Sequence, residues 1–104
     1  MTSRALSAPP FFSQGSDGIF VGNDPARGPW SADHCHAGPV TGLAARAAEK
    51  AVGAEKMLCR LTLDILRPLP LAGLRVAAEI TRNTRTLATT QITIHDLDDT
   101  LCAQ

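Results

Sequence analysis

Residues 38–53 give the only strong helix signal in the chain, and this segment constrains the fold more than any other feature. Pro39 suits the first helical position, where its fixed φ fits and its missing N–H would be unpaired anyway, and Gly53 suits the stop. Apolar residues recur at helical spacing on one face, opposite the charged residues. The apolar face carries small side chains, which lets a sheet approach the helix axis closely. These residues are Val40, Leu43, Ala44, Ala47 and Ala51.

From residue 58 onward the apolar pattern changes to a period of two, which is typical of half-buried strands. The alternation predicts strands at residues 58–66, 74–81 and 87–95, and a hairpin turn joins the last two. A short strand around residues 17–21 precedes the helix, and residues 101–104 begin a last strand that is incomplete. Because an isolated helix and a lone hairpin are both marginal in water, we expect the helix to lie across the concave face of the sheet, in an α+β fold.

The length of 104 residues allows one hydrophobic core, so we predict a loose N-terminal arm at residues 1–17 and a single domain at residues 18–104. Ten basic residues balance ten acidic ones, and this balance makes nucleic acid an unsuitable partner. No run of about 18 apolar residues is present, which argues against a membrane span, and the N-terminus lacks the apolar stretch of a signal peptide. We therefore expect a cytoplasmic protein.

Three cysteines and one tryptophan bear on the core. The cysteines are odd in number and widely spaced, and two lie in otherwise apolar runs, so we predict reduced thiols that pack as small hydrophobic groups. Trp30 follows a Gly-Pro turn and is predicted to anchor the loop by packing, in preference to contacting a substrate.

All four residues of the run Asp33-His34-Cys35-His36 are of types that can bind a metal ion. Adjacent residues on one loop rarely converge on one ion, so no metal site is predicted.

The order of elements, with these particular residues, resembles the hot-dog fold of acyl-CoA thioesterases, and most closely the first half of the tandem, double-hot-dog group. Gly28-Pro29-Trp30 and the loop at residues 34–39 resemble the family's loop of His, Gly-Gly and Pro before its central helix. Residues 60–68 resemble the next strand, which ends in Leu-Arg-Pro. Residues 76–85 and 87–94 are similar to the strand with an E-x-x-R pattern and the long strand after it.

The resemblance covers residues 18–104 and implies a hot-dog domain. Members of the group continue through a complete final strand and a second hot dog, so the resemblance implies a truncated chain. It also implies that the best-defined catalytic groups of the tandem enzymes, an Asp, a Gln and a Ser or Thr, belong to that second half.

Thioester hydrolysis needs hydrogen-bond donors for the oxygen that becomes anionic and a group that steers water. Because Pro39 has no N–H, the free N–H donors expected at the start of the helix are those of Gly38, Val40 and Thr41, and the positive end of the helix dipole assists them. The resemblance places a carboxylate in the helix or in the loop before it, and the helical Glu49 is interpreted as a surface charge. We expect His34 or His36 in that loop to contact the thioester or to orient Asp33; the alternative is a histidine that bonds the backbone of its own loop. The predicted catalytic residues are Asp33 and His36, and the predicted substrate-binding residues are His34, Gly38, Val40 and Thr41.

Two functional hypotheses follow. The first is an acyl-CoA thioesterase-like domain that hydrolyses or binds acyl thioesters at the interface of a hot-dog pair, which in a chain of this length is a homodimer or higher homo-oligomer. CoA then enters as part of the substrate, and no cofactor is expected. The second is a non-catalytic acyl-binding or dimerisation module, or an inactive fragment of a double-hot-dog enzyme.

Overall fold

The computed structural model describes residues 10–104, and in this range one α-helix lies against a five-stranded antiparallel sheet with strand order β1-β2-β3-β4-β5. The last strand lies at the end of the chain. This architecture confirms the predicted α+β class and the hot-dog fold implied by the resemblance. The elements are β1 (Phe12–Gln14), β2 (Phe20–Gly22), α1 (Ala37–Val52), β3 (Leu74–Asn83), β4 (Ala88–Asp96) and β5 (Leu101–Ala103).

The helix α1 spans nearly the predicted segment but begins earlier than the position of Pro39 suggested. His36 is its N-cap, and the His36 side chain accepts a hydrogen bond from the Gly38 amide. Gly53 ends the helix with a φ of 98°, which favours glycine, and its N–H donates to the Glu49 carbonyl. No helix in residues 10–104 has the length and apolarity needed to cross a membrane.

The predicted hairpin is present as β3 and β4, which pair antiparallel from Leu74 opposite Asp96 to Asn83 opposite Ala88, with a bulge after Ile80. The loop after α1 is tied to this hairpin. Lys56 Nζ donates to Asn83 Oδ1 and to the Thr84 carbonyl, each at 2.7 Å. The helix therefore packs across β3 and β4 and is held to the hairpin turn at its C-terminal end.

The N-terminal strands differ in part from the prediction. The predicted first strand is present as β2, which begins three residues later and ends one residue later than predicted. Within the predicted arm at residues 1–17, Phe12–Gln14 form β1, which pairs antiparallel with β2. The Asn23 side chain fastens this pair by donating to the Pro10 carbonyl at 2.9 Å and to Ser13 Oγ at 3.0 Å. Residues 1–9 of the predicted arm lie outside the described residues.

The predicted strand at residues 58–66 is wrong for most of its length. Only Ile65 forms a bridge, opposite Ala103 in β5, and the Asp64 amide donates to the Gln104 carbonyl at 2.8 Å. A strand needs a neighbouring backbone, and no described residue pairs with residues 58–63. Leu61 and Leu63 still pack against the core, as the alternation predicts, whereas the Cys59 thiol is exposed.

The core lies between α1 and the sheet, and its largest fully buried side chains are Leu74, Ile94, Val40 and Cys102. Trp30 is 84% exposed, so its predicted packing role is wrong. The Gly28 amide donates to the His34 carbonyl at 2.8 Å, which reverses the chain between them and leaves Trp30 near the tip of the turn.

Candidate functional site

The start of α1 is fixed by backbone hydrogen bonds to two other segments. The His36 amide donates to the Ala26 carbonyl at 2.6 Å, and the Cys35 amide donates to the Leu69 carbonyl at 2.7 Å. Arg27 and Cys35 form an isolated antiparallel bridge. The position of the first helical turn is therefore set by its contacts with the segments around Ala26 and Leu69.

The first turn of α1 presents few free N–H groups. The Gly38 amide donates to His36 Nδ1 at 3.2 Å, so neutral His36 carries its proton on Nε2. Pro39 has no N–H, and the Ala37 amide has no hydrogen-bond partner among the described residues. This helix start therefore offers two donors for a ligand, the Ala37 amide and His36 Nε2.

The early start of the helix changes the role of two predicted donors. Since His36 is the N-cap, the amides of Val40 and Thr41 fall within the ladder of i to i−4 hydrogen bonds. The Val40 side chain is fully buried in the core, and Thr41 Oγ1 donates to the Ala37 carbonyl at 2.9 Å. Of the three predicted donors, only Gly38 lies in the first turn, and its N–H is used by the cap.

An apolar groove of about 830 Å³ runs beside the first half of α1. One wall is the exposed side of the helix, and the other is built from aromatic and proline side chains that precede it. Among the predicted site residues, His36 and Gly38 line this groove. The apolar wall includes Phe11, Phe12, Phe20, Pro25, Pro39 and Leu43.

Asp33 and His34 are placed elsewhere on the loop. The Asp33 carbonyl accepts from the Leu71 amide at 2.9 Å, and His34 forms an antiparallel bridge with Pro70. The Asp33 side chain is exposed and makes no hydrogen bond with a described residue. The structure therefore brings His36 and Gly38 together at the groove but does not place Asp33 or His34 on its wall.

Several groove residues were missed by the sequence analysis. Phe11 and Phe12 were assigned to a loose arm in which the two rings could pack against the edge of the domain, and β1 directs this segment toward the helix. Arg46 was placed on the polar face of α1, and it is the one basic side chain among the described groove residues apart from His36. No aspartate or glutamate is among those residues.

A second cavity, of about 910 Å³, lies against the C-terminal half of α1, next to Ala48 and Val52. Helix C-termini carry partial negative charge from unpaired carbonyls, which disfavours an anionic oxygen. The groove at the helix start is therefore the better candidate for thioester chemistry. Among residues 10–104, no group of three or more His, Cys, Asp or Glu side chains is arranged to hold a metal ion.

Cys35 lies beside the two loop histidines, but its environment opposes a nucleophilic role. Burial raises the pKa of the Cys35 thiol from 9.0 to about 11, and Sγ donates weakly to the Pro70 carbonyl at 3.7 Å. Burial also raises the pKa of the Cys102 thiol, and the negative charge of the nearby Asp96 is the second cause of this increase. Both thiols are therefore neutral near pH 7 and serve the core.

The raised pKa of Cys35 predicts a loss of stability at alkaline pH. Between pH 9 and 11 the unfolded chain releases the Cys35 proton while the folded chain keeps it, so the free energy of unfolding falls as pH rises. The expected loss from this thiol is at most about 2.7 kcal/mol, from two pKa units at about 1.36 kcal/mol each. Urea unfolding at pH 8 and pH 11 measures this loss of unfolding free energy. The Cys35→Ala variant should lose less stability than the wild type over this range. Cys59→Ala, which removes an exposed thiol, is the control and should follow the wild type. An equal loss in all three proteins would contradict the prediction.

Comparison with known proteins adds one finding. A family model described as the acyl-CoA thioesterase N-terminal domain matches residues 26–104, which include the loop before α1, the helix and strands β3 to β5. No curated protein and no solved structure gives a significant match.

Proposed function

The chain belongs to the acyl-CoA thioesterase N-terminal domain family, and we propose that it binds an acyl thioester of CoA in the groove beside the start of α1 and contributes to its hydrolysis. One observation carries the proposal: an apolar groove of about 830 Å³ adjoins a helix start that presents donors. The acyl chain fits the apolar wall, and the thioester carbonyl fits the donors. This combination matches what thioester chemistry requires.

The proposed chemistry uses the helix start to stabilise negative charge. Water attacks the thioester carbon, the carbonyl oxygen becomes anionic, and collapse of the tetrahedral intermediate releases the CoA thiolate and the free acid. The Ala37 amide and His36 Nε2–H donate to that oxygen, aided by the positive end of the α1 dipole. Because His36 Nδ1 is occupied by the Gly38 amide, we assign His36 as a donor to the oxyanion rather than as the base.

The base that activates water must come from outside the described groove wall, which holds no carboxylate. We propose that it is supplied across a homodimer interface, either by the exposed Asp33 or by another carboxylate of the second copy. In this arrangement the thioester lies between two copies, as the hot-dog pair implies. His34, Val40 and Thr41 support the loop and helix start without touching the substrate.

The missing carboxylate also favours a second candidate function, binding of acyl thioesters without hydrolysis. Such a module would keep the apolar groove and the donors and would lack a base. The chain is titrated with acyl-CoA esters whose acyl chains have about 2 to 16 carbons, and release of free CoA is followed in the same samples. These two measurements separate the two functions. Binding with CoA release supports hydrolysis, and binding without release supports the second candidate. Failure to bind any chain length would reject both.

A pair of variants tests the assignment of His36. In His36→Asn the short side chain still caps the helix, since asparagine is among the preferred N-caps, but the Nε2 donor is lost. We expect the rate of CoA release, or the affinity if release is absent, to fall about tenfold, the value of one hydrogen bond of about 1.4 kcal/mol. His36→Ala should show the same functional loss and, in addition, about 1 kcal/mol lower stability in urea unfolding. A His36→Asn variant with wild-type function would remove His36 from the proposed site.

A further inference from the structure

One face of α1 forms the helical wall of the groove at the helix start. Its residues recur at the spacing i, i+3, i+4 and i+7, which places them on one side of a helix. They are Pro39, Gly42, Leu43 and Arg46. Arg46 lies farthest from the helix start, about 14 Å along the axis from Ala37 at about 1.5 Å for each residue. The groove therefore has hydrogen-bond donors at one end and a guanidinium group at the other.

The Arg46 side chain has room to lie along the groove. Long side chains on a helix point back toward its N-terminus and cover the turn before their own Cα. The residue one turn before Arg46 is Gly42, which has no side chain. Apart from the helix's own backbone, no atom lies within 4 Å of the position that a Cβ would take at Gly42. The guanidinium group of Arg46 is therefore free to reach into the groove over Gly42.

The positive charge of Arg46 is not balanced by a neighbouring side chain. Within residues 10–104, Arg46 forms no salt bridge, and its side chain is exposed. The acid on the same helix, Glu49, borders the second cavity and does not line this groove. A carboxylate that reaches this end of the groove therefore meets an unpaired cation, which arginine binds with two parallel hydrogen bonds.

Between its two ends the groove is apolar. Among the described residues, its lining there consists of phenylalanine, proline, leucine and glycine, with no polar side chain between His36 and Arg46. The pantetheine arm of CoA carries amide groups and ends at phosphates, and these groups lose hydrogen bonds with water in an apolar channel. A chain of methylene groups has no such cost. The acyl chain therefore fits the space between the helix start and Arg46 better than CoA does.

We propose that the groove accepts acyl groups that end in a carboxylate, and that Arg46 determines this specificity by pairing with the carboxylate. The inference rests on the proposed function, because it needs the thioester carbonyl at the start of α1. The reach of Arg46 extends from the level of Gly42 to that of its own Cα, about 8 to 14 Å along the axis from Ala37. An extended chain advances about 1.2 Å for each bond. A dicarboxylic acid of about ten carbons, bound to CoA at one end, spans about 11 Å and matches this reach.

The test measures the coupling between Arg46 and the terminal carboxylate. The probes are ketone analogues of decanoyl-CoA and decanedioyl-CoA, in which a methylene group replaces the thioester sulfur, so neither is hydrolysed. Calorimetric titration at low salt should show that the wild type binds the decanedioyl probe at least as tightly as the decanoyl probe. In Arg46→Gln, the ratio of the two affinities should fall about fivefold, the upper value for an exposed ion pair. Lys50→Gln removes the same charge from α1 outside the groove and should keep the wild-type ratio.

The hexanedioyl and hexanoyl probes check the span, because a chain of about six carbons carries its carboxylate only about 6 Å from the carbonyl and should show a smaller effect of Arg46→Gln. A ratio unchanged by Arg46→Gln at about ten carbons would overturn the inference. An equal loss of affinity for both ten-carbon probes and for free CoA would also overturn it, because Arg46 would then bind a CoA phosphate. If the decanoyl probe fails to bind the wild type, the proposed function fails as well. If that probe binds and only the ratio is unchanged, the proposed function stands.

Discussion

Replacing Gly42 by phenylalanine is expected to weaken the binding of a long-chain acyl-CoA about 100-fold while the domain stays folded. Gly42 is exposed on α1 and lines the groove, and apart from the helix's own backbone no atom lies within 4 Å of the position that its Cβ would take. A phenyl ring there occupies the space of about four methylene groups of an acyl chain. At about 0.8 kcal/mol for each methylene that stays in water, the loss is about 3 kcal/mol, or about 100-fold in affinity.

The matched control is Gly42→Ala, which adds one methyl group in open space. It should bind acyl-CoA as the wild type does and stabilise α1 by up to about 1 kcal/mol, because alanine favours helices more than glycine. Calorimetric titration gives the affinities, and urea unfolding shows whether each variant is folded. If Gly42→Phe retains wild-type affinity, the acyl chain does not occupy this groove.

The parts of the fold that the sequence predicted well are those that local patterns specify. The end of the helix was predicted correctly and its start within two residues, because its apolar spacing and the Gly53 stop act locally. The hairpin of β3 and β4 was likewise predicted by two alternating segments joined by a short turn. The helix needs only the core as its partner, and each strand of the hairpin pairs with the strand next to it in the sequence.

Residues 58–66 show where the same method fails. Their alternation is as regular as that of β3, and Leu61 and Leu63 do face the core. Alternation predicts which side chains face inward, but strand formation also needs a backbone neighbour, and β5 supplies one only near Ile65. A single sequence gives no direct signal for such a distant pairing, so the strand was overpredicted.

The candidate site was predicted at the loop before the helix and at the helix start, and the roles of its residues stay predictions. Of these residues, His36 and Gly38 line the groove. The donors were displaced because Pro39 was taken as the first helical residue for its fixed φ, whereas the helix begins at Ala37 with His36, a residue outside the usual N-caps, as its N-cap. The aromatic wall was missed because Phe12 reaches the groove only through the pairing of β1 with β2.

Shortening Ile94 to alanine is expected to lower the free energy of unfolding by about 3 to 4 kcal/mol, the upper range for deleting a buried aliphatic side chain. Ile94 is fully buried at the centre of the sheet, where it lies opposite Val76 in β3 and Ala103 in β5. The surrounding residues belong to three strands, so collapse around the cavity is limited. Urea unfolding monitored by circular dichroism measures the change.

The control is Ile80→Ala, the same substitution on the inner face of the same hairpin. Ile80 is 38% exposed beyond the region that α1 covers, so its expected cost is about 1 kcal/mol. The difference in the loss of unfolding free energy between the two variants measures how much burial under α1 contributes to the stability of the sheet. A cost for Ile80→Ala close to that of Ile94→Ala would mean that the outer half of the hairpin is covered in solution.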